Sequence, residues 1–265
     1  MSIVIVSGAQ GTSGANLLYR NLLLEGTLTA VNELASSPVE NAVSGETWDY
    51  WSQSSAVDGA IIVDLGSAKT CDGLGISSHD GGTKGARYSL YYSSNNISYS
   101  PVFIHSPNDN SAIFVAFPPI SARYWAVIAD VAVSNIGVII LGQRLQFPAG
   151  VLTGHTSMHN AKKSKLMNTT TVSGHHRNNR ITRMGIEGKI DFGLVATSFG
   201  DGAFQEFKDH YNAGKIFFYA GSPLNYPKDT ALCWRPESAG DISPSYQEGG
   251  TLMDLSMEVS AFVDT

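Results

Sequence analysis

Short hydrophobic runs separated by turn residues fill the chain between residues 28 and 147. Runs of this length, either alternating or continuously apolar, predict β-strands. The predicted strands are 60–65, 73–77, 86–92, 113–117, 123–129 and 135–144. Clusters of Gly, Asn, Asp and Pro lie between them, as expected for turns. Because residues 45–147 show no helical periodicity, this part of the chain is predicted to be a β-sandwich.

The pattern changes after a Phe-Pro-Ala-Gly sequence that begins at Phe147, and we place a domain boundary there. Residues 1–147 form the first predicted domain, a sandwich with an N-terminal extension. Residues 148–183 are polar and basic and are predicted to form an exposed arm or long loop. Residues 184–265 are predicted to be a small β-rich domain. The predicted elements there and at the end of the arm are strands 181–188 and 189–197, a short amphipathic helix at 203–211, and strands 215–219, 231–235 and 251–262.

Composition agrees with a folded, mainly β protein. Of the 265 residues, 43% are hydrophobic and only 15% are charged, which excludes a chain that is disordered throughout. The formal net charge of -6 argues against a general nucleic-acid or anionic-membrane surface. We expect no signal peptide and synthesis in the cytoplasm, because the basic start and apolar core of such a peptide are missing. Cys71 and Cys233 lie in different predicted domains and are expected to be buried, reduced thiols.

Four segments follow one another within residues 29–147: 41–45 followed by two tryptophans, then 62–66, 88–93 and 122–125. In this order they resemble the discoidin, or coagulation factor type C, module, a galactose-binding-like jelly-roll β-sandwich. The strand at 62–66 places Asp64 where it fixes a turn or pairs with a basic residue, and Arg123 is a candidate partner. That role is structural.

The resemblance implies that a ligand binds the loops at one end of the sandwich. Aromatic faces together with a few polar groups suit a sugar, which has apolar C–H faces and hydroxyl edges. The matching loops therefore give a candidate glycan site of Trp48, Tyr50, Trp51, His79, Asp80 and Lys84. For the two tryptophans, packing in the core and stacking on a sugar ring both stay open. The resemblance also implies a structural calcium ion in the loop 41–47, but Ser44 replaces an acidic ligand there, so we predict no cofactor.

The N-terminus suggests a different class of protein. An apolar strand followed by Gly8, Gly11 and Gly14 resembles the cofactor-binding turn of a short-chain dehydrogenase, and Tyr211 and Lys215 have that family's Tyr-x-x-x-Lys spacing. A doubly wound domain needs helices between its strands, and residues 45–147 supply none. We therefore keep an NAD(P)-dependent dehydrogenase as a remote alternative and otherwise expect a flexible turn, with residues 17–24 packed under the sandwich.

The predicted arm carries candidate chemistry of its own. His155, His159, His175 and His176 are close in sequence, which raises the alternative of a metal site, but no zinc-protease motif is present. We favour docking on an acidic neighbour through an arm made basic by Lys162, Lys163, Lys165, Arg177 and Arg180. The segment has no interleaved aromatic residues for stacking on bases, so nucleic acid is not the expected partner.

The order of the domains is similar to that in tail and baseplate proteins of bacteriophages. We therefore predict a non-enzymatic structural component of a virion tail tip or baseplate, of distal-tail or adaptor type. It is expected to assemble with copies of itself into a ring, to contact other tail proteins and to project a sandwich with an accessory role in binding host-surface glycans. A freestanding lectin-like protein is the alternative.

Overall fold

The computed structural model describes residues 2–57, 59–148, 150–152, 155–247 and 249–263, without the side chains of residues 182 and 183. Within this range the chain is mainly β. The strands are β1 (Ser2–Ile5), β2 (Asn16–Leu18), β3 (Thr27–Val31), β4 (Trp51–Ser52), β5 (Gly59–His79), β6 (Arg87–Ser93), β7 (Ser100–His105), β8 (Ile113–Asp130), β9 (Asn135–Gly142), β10 (Leu145–Gln146), β11 (Lys162–Thr170), β12 (His176–Ala196), β13 (Phe217–Ala220), β14 (Thr230–Trp234), β15 (Ser245–Tyr246) and β16 (Leu252–Ala261). The helices are α1 (Gly81–Lys84), α2 (Thr197–Gly200) and α3 (Ala203–Asn212), together with two short 3-10 helices at Leu22–Glu25 and Val39–Val43.

The first sheet builds the predicted sandwich. Its strand order is β4-β9-β5-β8-β6-β7, with β1 parallel to β8 and β3 antiparallel to β5. Both β5 and β8 are long, and the register of their pairing shifts between Asp64 and Lys69. The halves on either side of this irregular stretch lie in facing layers, because both contribute side chains such as Val63 and Leu74 to one core. Each long strand therefore accounts for two predicted strands, and the sandwich is confirmed.

The second sheet has the order β10-β2-β13-β14-β16-β12-β11, with β15 beside β16. Helix α3 covers it and buries Phe204, Phe207 and Tyr211, as the amphipathic pattern predicts. Two predicted strands, 181–188 and 189–197, are in fact parts of the single strand β12, which pairs with β11 along its first half and with β16 along its second.

The second sheet also contains residues from the first predicted domain. Leu17 of β2 pairs with Leu145 of β10, and Asn16 pairs with Gln146. Apart from β1, the sandwich is therefore inserted in the chain between two neighbouring strands of the second sheet. Residues 17–24 were expected to pack under the sandwich after a turn. Leu22 and Leu23, in the 3-10 helix, are buried in the sandwich core as predicted, whereas Leu17 and Leu18 of β2 belong to the second sheet.

A third hydrophobic cluster joins the two sheets. Phe114 and Ile140 of the first sheet meet Leu18 and Phe218 of the second, and all four side chains are buried. Gly75 permits this contact, because a Cβ atom at that position would lie 2.3 Å from the ring of Phe218. The two sheets thus share apolar packing across their boundary.

Buried polar groups fasten the glycine-rich N-terminal turn to the same junction. The guanidinium of Arg144 has no exposed area and donates to Asp72 Oδ2 (3.2 Å), Asn16 Oδ1 (2.9 Å) and the carbonyl oxygen of Gln10 (3.1 Å). Such a charge is tolerated in the interior because it is both paired and hydrogen-bonded.

This arrangement overturns the dehydrogenase alternative. The chain after β1 turns into β2 rather than a helix, and no helix connects parallel strands within the described ranges. The hydroxyl of Tyr211 donates a hydrogen bond to the carbonyl oxygen of Glu258. Lys215 lies beyond the end of α3, so it does not share a helix face with Tyr211.

Candidate functional site

The loop 44–50 connects the 3-10 helix Val39–Val43 to β4 and is held by hydrogen bonds on both sides of Trp48. Asn41 Nδ2 donates to Asp49 Oδ1 (2.7 Å) and to the carbonyl oxygen of Tyr50 (3.1 Å). Ser78 Oγ, near the end of β5, donates to the carbonyl oxygen of Thr47 (2.5 Å). These bonds place the loop against the end of β5, next to the segment that leads into α1.

Two aromatic side chains of this loop face outward. Trp48 is 76% exposed and Tyr50 is 41% exposed. An exposed indole is a flat apolar surface with an N–H group at its edge, which matches the two kinds of surface that a sugar ring offers. The candidate surface is therefore built around Trp48 and Tyr50.

Trp51 is buried, so its inclusion in the candidate site was wrong. It begins β4, where it pairs with Ile136 of β9, and its side chain has no exposed area. It packs in the core of the sandwich and cannot stack on a ligand. Packing in the core thus applies to Trp51, and stacking on a sugar ring stays a prediction for Trp48.

His79 is also removed from the ligand-contacting set. Its imidazole is buried, with Nε2 3.0 Å from the carbonyl oxygen of Ser111 and Nδ1 accepting from the backbone N–H of Gly81 (3.2 Å). Burial lowers the pKa of His79 to about 4, so the ring is neutral at pH 7. Its role is to position α1 and the neighbouring loop.

The other two predicted residues remain near the surface. Asp80 is half-buried and accepts from the backbone N–H of Asn135 (2.7 Å), while Lys84 is exposed at the end of α1. The sequence analysis missed their neighbours: Asn110 Oδ1 accepts from the N–H of Thr83 (2.9 Å), and Asn110 Nδ2 donates to Thr83 Oγ1 (2.8 Å). The turn composition of 106–110 gave no sign that its amide side chain would be fixed against α1.

The loop 41–47, where a calcium ion was considered, is closed by its own hydrogen bonds. Ser44 Oγ donates to the carbonyl oxygen of Asn41 (3.0 Å) and accepts from the N–H of Glu46 (3.2 Å). Among the residues that the structure describes, no group of three or more His, Cys, Asp or Glu side chains is placed to hold a metal ion.

Asp64 and Arg123 form the predicted pair. Arg123 Nε and Nη2 donate to the two carboxylate oxygens of Asp64 at 2.6 and 2.7 Å, and the N–H of Gly66 donates to Oδ1 (2.8 Å). These hydrogen bonds hold the pKa of Asp64 down at about 2. The carboxylate fixes the turn at Gly66 and ties β5 to β8.

Within the predicted arm, residues 162–181 form a β-hairpin, which we call the basic hairpin. It is closed by a turn in which the N–H of Thr171 donates to the carbonyl oxygen of His175 (2.8 Å). All nine residues of β11 are exposed. The predicted arm residues Lys162, Lys163, Lys165, Arg177 and Arg180 are all exposed on this hairpin.

The four histidines of this region are not gathered in one place. His175 and His176 lie on the basic hairpin, whereas His155 is packed against β14 through a contact of 3.1 Å between its Nε2 and Asp229 Oδ2. The two cysteines are free and buried, and burial raises the pKa of both thiols.

The comparison with known protein families identifies a match within the sandwich. Residues 27–135 match the family described as F5/8 type C domain, which confirms a discoidin-like domain in this part of the chain. No curated protein matches the sequence. Of the helices in the described part of the chain, none combines the length and the apolar character needed to cross a membrane.

Several solved structures are similar to about half of the chain. CBM32-1 from a family 31 glycoside hydrolase of Clostridium perfringens has 20% identity and a TM-score of 0.40, and the match covers 47% of this chain and 98% of that chain. Chitosan-binding module 1 from a chitosanase/glucanase of Paenibacillus sp. IK-5 has 20% identity and a TM-score of 0.41, with 46% and 98% covered. CpGH89CBM32-5 from Clostridium perfringens, solved with GalNAc-β-1,3-galactose, has 14% identity and a TM-score of 0.41, with 46% and 99% covered.

Proposed function

We propose that the F5/8 type C domain of this protein binds a glycan on the surface formed by the loop 44–50 and α1. The observation that carries the proposal is the outward-facing indole of Trp48, whose two chain neighbours, Thr47 and Asp49, are both fixed by hydrogen bonds. A large apolar side chain at such exposure contributes nothing to the core, whereas it gives a sugar ring a stacking surface.

The neighbouring groups supply the polar contacts that such a ligand needs. Tyr50 adds a second aromatic surface, Lys84 offers a donor, and the half-buried Asp80 and Asn110 offer acceptors at the same end of the sandwich. We propose a binding function without catalysis, because the polar groups here hold backbone and loop atoms rather than form a nucleophile and base pair.

The first prediction is that Trp48→Ala abolishes glycan binding and leaves stability within about 0.5 kcal/mol of wild type, as expected for an exposed side chain. Binding is measured on a glycan array and then by calorimetry with the best ligand. Tyr246→Ala is the matched control, because this aromatic side chain is also exposed but lies on the second sheet. Unchanged binding by Trp48→Ala would contradict the proposal.

Trp51→Ala tests whether Trp51, unlike Trp48, is a core residue. Loss of this buried side chain is expected to cost about 3–5 kcal/mol in the free energy of unfolding, measured in urea. A small cost would mean that Trp51 is not the core residue that its burial indicates.

As a second function, we propose that the chain is a structural subunit that assembles through the basic hairpin, as in the tail tip or baseplate of a phage. The specific observation is that the hairpin exposes the cross-strand pair Leu166 and Ile181 at 52% and 53% beside its lysines and arginines. Apolar side chains displayed on a projecting strand pair are typical of an interface. A freestanding lectin-like protein is the alternative, and it needs no such hairpin.

The second prediction concerns the solution mass of the full chain. Lys163 and Gly185 are directly paired, so an Asn-Gly turn joining them in place of residues 164–184 removes the hairpin and keeps the strand register. We expect the wild-type protein to form closed oligomers and the shortened protein to be a folded monomer, as measured by light scattering. Equal masses for the two proteins would contradict assembly through the hairpin, and a monomeric wild type that binds glycans would favour the lectin.

A further inference from the structure

A cleft of about 860 Å³ opens between the two sheets, near the C-terminal end of α3. One wall is α3 and the residues after it; the other is the sandwich face of β9 and the loop 44–46. The residues that matter to its chemistry are Tyr19, Glu46, Ile140, Glu206, Asp209 and Ile216. The cleft shares residues 44–46 with the loop that carries the glycan surface, whereas Trp48 and Tyr50 of that loop do not line the cleft.

The cleft is acidic at its edges. Within the described part of the chain, Glu46, Glu206 and Asp209 take part in no ion pair, and Lys215 is the cation that lines the cleft beside them. A fourth carboxylate at its edge, Glu25, is paired with Arg20 (2.8 Å) and with Lys69 (2.6 Å). The cleft therefore presents an excess of carboxylates to whatever enters it.

The floor and one wall are apolar or aromatic. Ile140 forms part of the floor, Leu24 is largely exposed at the edge, and the ring of Tyr19 packs edge-on against His210 at 5.2 Å. Burial and the Glu206 carboxylate raise the pKa of Tyr19 to about 12, so its phenol stays a neutral donor. A fitting partner thus combines positive charge with exposed aliphatic side chains.

The basic hairpin has this combination, divided between its two faces. Residues 162–181 contain five lysines and arginines and no acidic residue. Because side chains alternate along a strand, Lys163 and Lys165 lie on one face of β11, where Lys163 is 3.7 Å from the exposed carboxylate of Glu187. Leu166, opposite Ile181, lies on the other face together with Lys162. One face suits the carboxylates of α3, and the other suits the apolar wall.

The hairpin and the cleft are on opposite sides of the molecule. β11 is one edge of the second sheet, and β2, which leads into Tyr19 and the cleft, lies at the other edge beside β10. Five strand spacings of about 4.8 Å separate them, or about 24 Å. A contact between them therefore joins different copies head to tail, and such a contact closes into a ring when the rotation between copies allows it.

We propose that the basic hairpin of one copy docks in the cleft between the two sheets of a second copy. This inference rests on the proposed assembly function and adds the acceptor surface to it. The hairpin spans residues 162–181, all exposed except the half-buried Thr171, and this number is close to the roughly 20–30 residues that each partner contributes to a stable interface.

The test is a charge exchange in the full chain. Glu46→Lys combined with Asp209→Lys alters the cleft, and Lys163→Glu combined with Lys165→Glu alters the hairpin. Each double variant is expected to weaken self-association at least about tenfold in sedimentation equilibrium, because like charges then face each other. An equimolar mixture of the two variants is expected to associate again, since each altered surface meets its complement.

Glu237→Lys combined with Asp201→Lys is the matched control, because both carboxylates are exposed outside the cleft. It should associate as wild type does. If the cleft variant assembles normally while the hairpin-shortened protein is a monomer, the cleft is the wrong acceptor and assembly through the hairpin stands. If wild type is monomeric at every concentration, both proposals are wrong. Failure of the mixture to associate, with both variants folded by circular dichroism, also overturns the cleft.

Discussion

At the scale of the residue, burial decides what each group of the sandwich end can do. Trp48 and Trp51 are three positions apart, yet Trp48 lies on the surface and Trp51 in the core. The difference arises because Trp51 begins the paired strand β4 and its side chain points into the sandwich. His79 is similar: its buried ring has both nitrogens occupied by backbone groups. Residue type alone selects these positions as candidates, and the local backbone decides which of them meet solvent.

His79 yields a prediction about pH. Its pKa is about 4 in the folded protein and about 6.5 in an unfolded chain, so the unfolded state takes up a proton first as the pH falls. The stability contributed by the neutral ring is complete above pH 6.5 and is lost between pH 6.5 and 4. We expect the free energy of unfolding to drop by up to about 3 kcal/mol over this interval because of His79.

The measurement is urea unfolding at a series of pH values, with His79→Gln as the comparison. The slope between pH 6.5 and 4 should be smaller in the variant by the amount that His79 contributes. Titration of the His79 ring signals near pH 6.5 in the folded protein would contradict the assignment.

At the scale of the element, the sequence pattern located most strands but not their continuity. The predicted strands 60–65 and 73–77 are joined in β5, since the irregular stretch between them bends the strand from one layer to the other without ending it. Gly188 and Lys189 resemble a turn, but pairing with β16 on one side keeps β12 extended through them. Local composition cannot report such pairing, because the partner strand lies about 70 residues further along the chain.

The candidate site was predictable to a similar degree. The exposed Trp48, Tyr50 and Lys84 were identified from their loops, and the aromatic and polar chemistry was sufficient for that. Asn110 was not identified, because its position beside α1 depends on a hydrogen bond to Thr83, which is 27 residues away in the sequence. The cleft between the sheets could not be predicted from the sequence for the same reason, because its walls come from four separate parts of the chain.

At the scale of the whole molecule, the two sheets are expected to unfold together. Phe218, on β13 of the second sheet, is fully buried in the cluster it shares with Phe114 and Ile140 of the first. A protein whose units share a core in this way unfolds in one transition when the shared packing is large.

Phe218→Ala tests this coupling. We expect it to lower the free energy of unfolding by about 3–5 kcal/mol and to destabilise both sheets, since it empties space that both of them line. In a Trp234→Phe background, which removes the tryptophan of the second sheet, fluorescence reports on the sandwich through the buried Trp51 and Trp125. Far-ultraviolet circular dichroism reports on the whole chain. Tyr246→Ala serves as the exposed control. Two separate transitions, with the fluorescence change unaffected by Phe218→Ala, would show that the sheets fold independently.

The pairing of β2 with β10 has a further consequence for how this protein can be altered. The chain leaves the second sheet at Leu18 and returns to it at Leu145, and these two points lie side by side. A module with neighbouring ends placed at such a site behaves as an exchangeable cassette, because the host needs only that its entry and exit points stay close. One scaffold is therefore able to carry sandwiches of different ligand preference, provided that each presents an apolar face to Phe218 and a strand edge that pairs with β1, which lies outside the exchanged segment.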